Sequence, residues 1–330
     1  MTLLQSKFLK KDTESFVAVN LGSHYIKGLV VRGREVSDYF IEKKDGLSDT
    51  LKEVWAKKKI STKKVRVSIK DPSCLVRYFS FPKMEKKKLN QALTYELNKF
   101  IPFPAGEVYF DFSVLKEVNP GEVLILLAVV KRDFISKILE GFAKANLNVS
   151  IINLDSICLI NLLFNNYADS KEVNSCILDI GSNISTMTIL NKGLPFLTRD
   201  VKLSVKDILH LASRTKGVKI DDLESWARDK KNSQEFLELA QHNISNVCKE
   251  IKSSFDYFEV NKTEHIDRLY ITGGLSSVSG IEKVFTESLD IDTEVLEVFK
   301  EDTSKFELSF SDSKFTSFLN SFSVTFGLIL

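Results

Sequence analysis

The 330-residue chain holds only four cysteines, Cys74, Cys158, Cys176 and Cys248, and no two share the short spacing of a metal or redox pair. That argues against a disulfide scaffold or a zinc module and points to a reducing compartment. The four histidines likewise lack metal-ligand spacing. Charge of one sign is missing too: the formal net charge is +2, so no global field recruits nucleic acid. Lysines do cluster at Lys57–Lys59, Lys63–Lys64 and Lys86–Lys88, and each cluster reads as a solvated face. The longest apolar run, "VLILLAVV" from Val123 to Val130, is far short of the ~20 residues a membrane-spanning helix needs. The opening "MTLLQSKFLKKDTES" has no apolar core of signal-peptide length and reads as a frayed tail, with a weak amphipathic membrane contact as the alternative. A cytosolic chain, peripheral at most to a membrane, is expected.

What is present is ordinary for a globular protein: 43% hydrophobic and 27% charged residues, in a length that suits two domains or one fold with subdomains. Strand patterns occupy Phe16–Leu21, Ile26–Arg32, Val65–Ile69 and Leu75–Phe81. Leu89, Leu93, Leu97 and Phe100 recur at helical spacing, predicting a helix from about Glu85 to Phe100 that Pro102 ends. Strands at Val108–Leu115 and Val123–Val130 follow across the turn sequence "NPGE", then a helix over Arg132–Ala145 and a strand at Val149–Asn153. From Val65 to Ile152 the order predicts a compact α+β module inserted in something larger. A helix near Ser156–Tyr167 comes next, and Ser204–Val260 reads as mostly helical, with Trp226, Phe236, Leu239 and Ile244 as core positions. The tail "FTSFLNSFSVTFGLIL" reads as a final helix packed into the core rather than on a membrane.

The informative feature is a repeat. "VAVNLGSHYIKGLVV" and "CILDIGSNISTMTIL" both run apolar strand, Gly-Ser turn, apolar strand, and aligning them places Asn20 on Asp179, Gly22 on Gly181 and Ser23 on Ser182. Two such hairpins predict an internal duplication with paired domains facing each other across a cleft. Each can offer backbone N–H groups and a hydroxyl to phosphate oxygens, because glycine lets the backbone come close. A third turn, Gly273-Gly274-Leu275 before a helix, can pass an α-phosphate or adenosine. Asp179 stands where it could hold a hydrated Mg²⁺. Lys27 could neutralise phosphate charge or merely edge the hairpin, Asn183 follows Ser182 in the second turn, and Glu250 and Lys252 could reach a ribose or adenine from a helix. His24 reads as a solvated loop residue, and Asp155 as the start of a helix.

These residues resemble the three signatures, phosphate 1, phosphate 2 and adenosine, of the actin, sugar-kinase and chaperone ATPase superfamily. The segment "FPKMEKKKLNQALTYELNKFIPFPAGEVYFDFSVL" is more specific. With "AVVKRDFISKILEGFAKANLNVSIINLDSICL", "KEIKSSFDYF" and "SVTFGLIL", it resembles the PilM family of type IV pilus assembly proteins, which is similar to the cell-division protein FtsA. The resemblance runs from Phe16 to Leu330. It implies an α/β, actin-like (ribonuclease H-like, duplicated) two-lobed fold binding ATP and Mg²⁺ between the lobes, at most weakly hydrolytic. It also implies work at the cytoplasmic face of the inner membrane, where the family grips the short N-terminal tail of the membrane protein PilN and joins other pilus motor-platform proteins. Self-association stays open. The family normally has Asp where this chain has Asn20 and usually Asp at Asn153. His24 replaces a small residue, and Lys252-Ser253 stand where arginines are common.

The domain reading that follows gives residues 1–15 as a tail, and 16–64 with 153–174 and 312–330 as the first lobe. Residues 65–152 are the inserted subdomain, 175–205 with 262–311 the second lobe, and 206–261 a helical subdomain. The alternatives within the superfamily are a small-molecule kinase, which would lean on Asp155, and a filament-forming cytoskeletal ATPase. The insertion segment favours the pilus adaptor. Asp179→Ala is expected to weaken Mg·ATP binding, and Asn20→Asp to leave it intact or strengthen it.

Overall fold

Three sheets carry the chain, and each follows from where its strands are buried. The computed structural model describes residues 14–217, 226–299 and 306–330. The tail over 1–13, and the parts of the 206–261 and 262–311 segments at 218–225 and 300–305, lie outside the described residues. β1 (Ser15–Leu21), β2 (Tyr25–Arg32) and β3 (Glu35–Lys43) form an antiparallel meander, followed by α1 (Leu47–Lys58) and β4 (Lys64–Ile69). β4 pairs parallel to β1, and β8 (Asn148–Leu154) pairs parallel to β4. With the short β14 (Glu307–Leu308), the first sheet has the order β14-β3-β2-β1-β4-β8.

The second sheet repeats the plan. β9 (Ser175–Ile180), β10 (Ser185–Asn191) and β11 (Leu194–Val201) make the meander. β12 (Arg268–Gly273) and β13 (Asp292–Val295) add parallel strands on the other side of β9, giving β11-β10-β9-β12-β13. α5 (Val205–Lys216), the long α6 (Ser233–Lys262) and α7 (Ile281–Leu289) bury Ile208, Phe236, Ile244, Val247, Ile251, Phe258 and Phe285 in a core shared with this sheet. Trp226 and Leu239 pack against that core from its partly buried margin.

Between β4 and β8 lies the inserted module, and it is shorter than the 65–152 read from the sequence. β5 (Cys74–Pro82), β7 (Glu122–Lys131) and β6 (Val108–Asn119) form their own sheet in the order β5-β7-β6, with α2 (Lys86–Phe100) on it. β4 and β8 are pairing strands of the first sheet, and α3 (Arg132–Lys144) packs on α1 and β8, so none of these belongs to the module. Periodicity reveals strands but not which sheet they join.

The run "VLILLAVV" is explained here. β7 is the central strand, and Val123, Ile125, Leu127 and Val129 face a core with Leu89, Leu93 and Leu97 of α2. Its alternate residues Leu126 and Val130 pack into the first lobe's core. A strand covered on both faces loses the apolar–polar alternation. β3 and α1 lack a readable signal for the opposite reason. In β3 only Val36 and Phe40 are fully buried, and α1 buries only Thr50, Leu51 and Val54 in a lysine-rich frame.

The C-terminal segment is not one helix. α8 (Ser313–Phe318), a 3-10 turn over Leu319–Phe322 and α9 (Ser323–Ile329) follow in succession. α9 packs on α4 (Asp155–Asn166) and on β1, and the two helices meet at Gly327, where a Cβ would stand 1.9 Å from the Cys158 carbonyl oxygen. No helix among the described residues is long and apolar enough to cross a membrane.

Because that contact is with backbone, Gly327→Ala should lower stability by about 3 kcal/mol or more. Gly106→Ala, whose Cβ meets nothing within 4 Å, should stay within about 0.5 kcal/mol of the parent. Urea unfolding of both variants checks the contrast.

Candidate functional site

The carboxyl ends of the parallel strands of both sheets converge, the usual place for a ligand in an open α/β sheet. From the first sheet, β1 brings Asn20 beside Ser68 of β4, and Lys70 and Asp155 follow directly on the ends of β4 and β8. From the second, Asp179 of β9 lies beside Thr272 of β12. The cleft between them holds about 960 Å³ of space counted with its mouth, within the range of small-molecule sites.

Both Gly-Ser hairpins face this cleft. Gly22, Ser23 and His24 line one wall, and Gly181 and Ser182 the other. Their glycines are required by crowding rather than by a left-handed backbone, since neither has a positive φ. A Cβ on Gly22 would stand 2.8 Å from the Tyr25 carbonyl oxygen, and one on Gly181 2.3 Å from that of Ile184. Among the described residues the backbone amides of Ser23, His24, Ser182 and Asn183 donate to no protein acceptor. The second hairpin is anchored by its carbonyls: Gly181 O accepts from the Val205 amide at 3.2 Å and Ser182 O from the Lys206 amide at 2.9 Å. Gly273 does need a positive φ, 93°, and sits so close that a Cβ would be 2.4 Å from Ile180 O and 2.8 Å from Asp179 Oδ1. The third turn is thereby seated on the second.

Electrostatically the two halves of the repeat differ. Asn20 is 3% exposed. Its Nδ2 donates to Ser68 Oγ at 3.0 Å and to both Asp155 oxygens at 3.1 Å. Asp155, the first helical residue of α4, serves no cap bond. Burial raises its carboxyl to about 6, against the pull of Lys70; Asp179 pushes the same way, and the Asn20 and Ser68 hydrogen bonds oppose it. In the second half, Asp179 Oδ2 accepts from Lys70 Nζ at 2.5 Å, an ion pair from β4 of the first lobe to β9 of the second. Burial alone would lower the Lys70 pKa, but Asp179 and Asp155 outweigh it and hold the ammonium above its ordinary value.

Of the residues read from the sequence, Asn20, Gly22, Ser23, Lys27, Asp179, Gly181, Ser182, Gly273, Gly274 and Leu275 line the cleft. Lys27 Nζ donates to the Ser321 carbonyl at 2.8 Å, tying the first hairpin to the C-terminal segment. Asn183, Glu250 and Lys252 are not among the lining residues. α6 turns Ile251, Phe255 and Phe258 into the core. Glu250 is thereby left to accept from the Lys202 amide at 3.3 Å, and Lys252 is left exposed. Lys70, Arg228 and the C-terminal residues Asn320, Ser321 and Ser323 line the cleft without any motif to announce them. For Lys70 the one available signal is its place just after a buried strand.

With this geometry in view, comparison with known proteins is decisive. A family model, type IV pilus assembly protein PilM, matches residues 17–330. The chain belongs to the PilM family. A solved PilM-PilN type IV pilus biogenesis complex is similar at a TM-score of 0.81 and 19% identity, covering 94% of this chain and 96% of that one. The ethanolamine utilization protein EutJ from Carboxydothermus hydrogenoformans is similar at 0.57 and 11% identity, with coverage of 96% and 89%. MreB5 of Spiroplasma citri bound to ADP is similar at 0.53 and 10% identity, with coverage of 96% and 95%. These likenesses show the actin-like fold of this PilM-family chain.

A nucleoside polyphosphate fits the hairpins, whose unused amides and close glycines form an anion cradle. A Mg²⁺ on Asp179 fits less well, because that carboxylate already carries the Lys70 ammonium. Asn20→Asp, expected above to keep or strengthen Mg·ATP binding, bears on stability as well. The new carboxylate would face Asp155, and two carboxylates in contact do not both ionise. A carboxyl whose folded-state pKa lies above its unfolded value favours the fold when protonated, and that advantage goes as pH rises through the folded value. Asn20→Asp should therefore cost about 2 kcal/mol or more relative to the parent at pH 8 and less at pH 5, measured by urea unfolding at the two pH values.

Proposed function

We propose that this PilM-family chain is a nucleotide-binding adaptor of the type IV pilus assembly platform. ATP would lie between the lobes, and the short cytoplasmic tail of a PilN-like membrane protein would dock on the inserted module at the cytoplasmic face of the inner membrane. The observation that carries the nucleotide half is that Gly22 and Gly181, one from each lobe, border the same cleft, with the Gly273-Gly274 turn beside them. Two structures of the same fold support it, MreB5 of Spiroplasma citri bound to ADP and to AMPPNP. The partner half rests on the family and on the similar chain solved as a PilM-PilN complex. Hydrolysis would be weak at best. Asn20 carries no charge to act as a base, and both oxygens of Asp155 already accept from it.

Gly274 provides a clean test. A Cβ there meets only Val205 and the Ile180 carbonyl at 3.8 and 3.9 Å, with no positive φ. Gly274→Glu should thus fold normally while adding a negative charge to the cleft. ATP at about 100-fold its Kd should stabilise the parent by about 2.7 kcal/mol and the variant hardly at all, as read by thermal denaturation. No shift for the parent with either ATP or ADP would refute the nucleotide half.

For the partner, a photo-reactive peptide copying the N-terminal tail of a PilN-like protein should cross-link within residues 71–131. Cross-links confined to the second lobe would place the docking surface elsewhere.

A further inference from the structure

The cation already present in the cleft leads beyond that reading. Lys70 comes from the first lobe, yet its Nζ lies 2.5 Å from Asp179 Oδ2 of the second. It also lies 3.0 Å from the point where a Cβ on Gly181 would stand. The ammonium is therefore pressed against the second phosphate hairpin, on the carboxylate where the duplicated pattern would put a hydrated divalent cation. The other half of the repeat removes a second metal ligand. Asn20 is neutral and spends its amide on Ser68 and Asp155. Among the described residues there is no group of three or more His, Cys, Asp or Glu side chains that could hold a metal ion.

An ammonium has three donors. One engages Asp179, and the others can serve phosphate oxygens arriving at the hairpin, the task a metal with its water shell performs elsewhere. Side-chain exposure fits this: Lys70 keeps 22% and Asp179 10%, so the charge is held in place but reachable from the cleft. We propose that Lys70 occupies the metal's place on Asp179, so that this cleft takes up a nucleoside polyphosphate without a divalent cation. The inference rests on the nucleotide reading for its ligand but not for the placement of the cation.

Calorimetric titration of ATP into the full chain, in 5 mM-scale Mg²⁺ and again in excess chelator, tests the ligand half. The parent should bind with affinities within about threefold of each other in the two buffers. Lys70→Met should lose about tenfold or more in chelator, the scale of one charged hydrogen bond, and regain much of it with Mg²⁺ once Asp179 is free. Lys70→Arg keeps the charge and should stay independent of Mg²⁺. Loss of parental binding in chelator, with Lys70→Met unchanged from the parent, would overturn the proposal.

A second arm uses Mn²⁺ alone, followed by electron paramagnetic resonance. The parent should show no Mn²⁺ site, Lys70→Met should gain one, and the double variant Lys70→Met, Asp179→Asn should lose it again while relieving the unpaired carboxylate. A Mn²⁺ site on the parent that Asp179→Asn removes would overturn the proposal by itself. If the parent bound no ATP in either buffer, the nucleotide reading would fall, and the Mn²⁺ arm would still decide who holds the cation's place.

Discussion

Two sheets that end at the same point bring their polar strand ends together inside the molecule, and charges buried there must be paired. The Lys70–Asp179 contact meets that demand across the lobes. Leaving either partner alone in a part-buried setting costs far more than the pair contributes. The rest of the cleft is arranged around it. Burial pushes the Asp155 carboxyl up, and the charge it keeps is stabilised by Lys70 and by its hydrogen bonds with Asn20 and Ser68. Gly273 must be glycine because the third turn is pressed on Asp179 itself.

The asymmetry between Asn20 and Asp179 is then a consequence of local partners rather than an accident within a duplication. Position 20 faces a carboxylate, Asp155, and takes an amide that can donate to both its oxygens. Position 179 faces an ammonium and takes a carboxylate. Exchanging the two side chains would set like charge against like in one lobe and leave a buried lysine without its counter-charge in the other.

How much of this could be read from the chain depended on whether the signal was local. The two hairpins announce themselves through apolar strands flanking Gly-Ser, and both line the cleft. α2 shows its Leu89, Leu93, Leu97 stripe and stops where Ile101 must be extended before Pro102. β3 and α1 stayed hidden because each buries too few residues to set a period. The limits of the inserted module were misread because β4 and β8 look like any other strands, and only their parallel register assigns them to the first sheet. Glu250 and Lys252 looked suitable by type, but the helical phase of α6 is set by its apolar side and carries them away from the cleft. Lys70 is the reverse case, a residue with no motif whose role comes wholly from a contact made 109 positions away in sequence.

The same residue sits at a junction. β4 ends at Ile69, Lys70 reaches the second lobe, and the chain then enters β5 of the module at Cys74. Further along β5, the Tyr78 hydroxyl hydrogen-bonds Thr198 of β11 at 2.9 Å, so the module touches the second lobe directly. On the same face of its sheet it is fused to the first lobe through Leu126 and Val130 in a continuous core. A well-packed core shifts between discrete arrangements rather than stretching. A change in the separation of β4 and β9 would therefore bear on the β5–β11 contact, the Tyr78–Thr198 bond included. The lobe boundary beside the module thus carries an ion pair, Lys70–Asp179, and a hydroxyl bond, Tyr78–Thr198, with β5 packed along β11. Both lie at the boundary between the lobes.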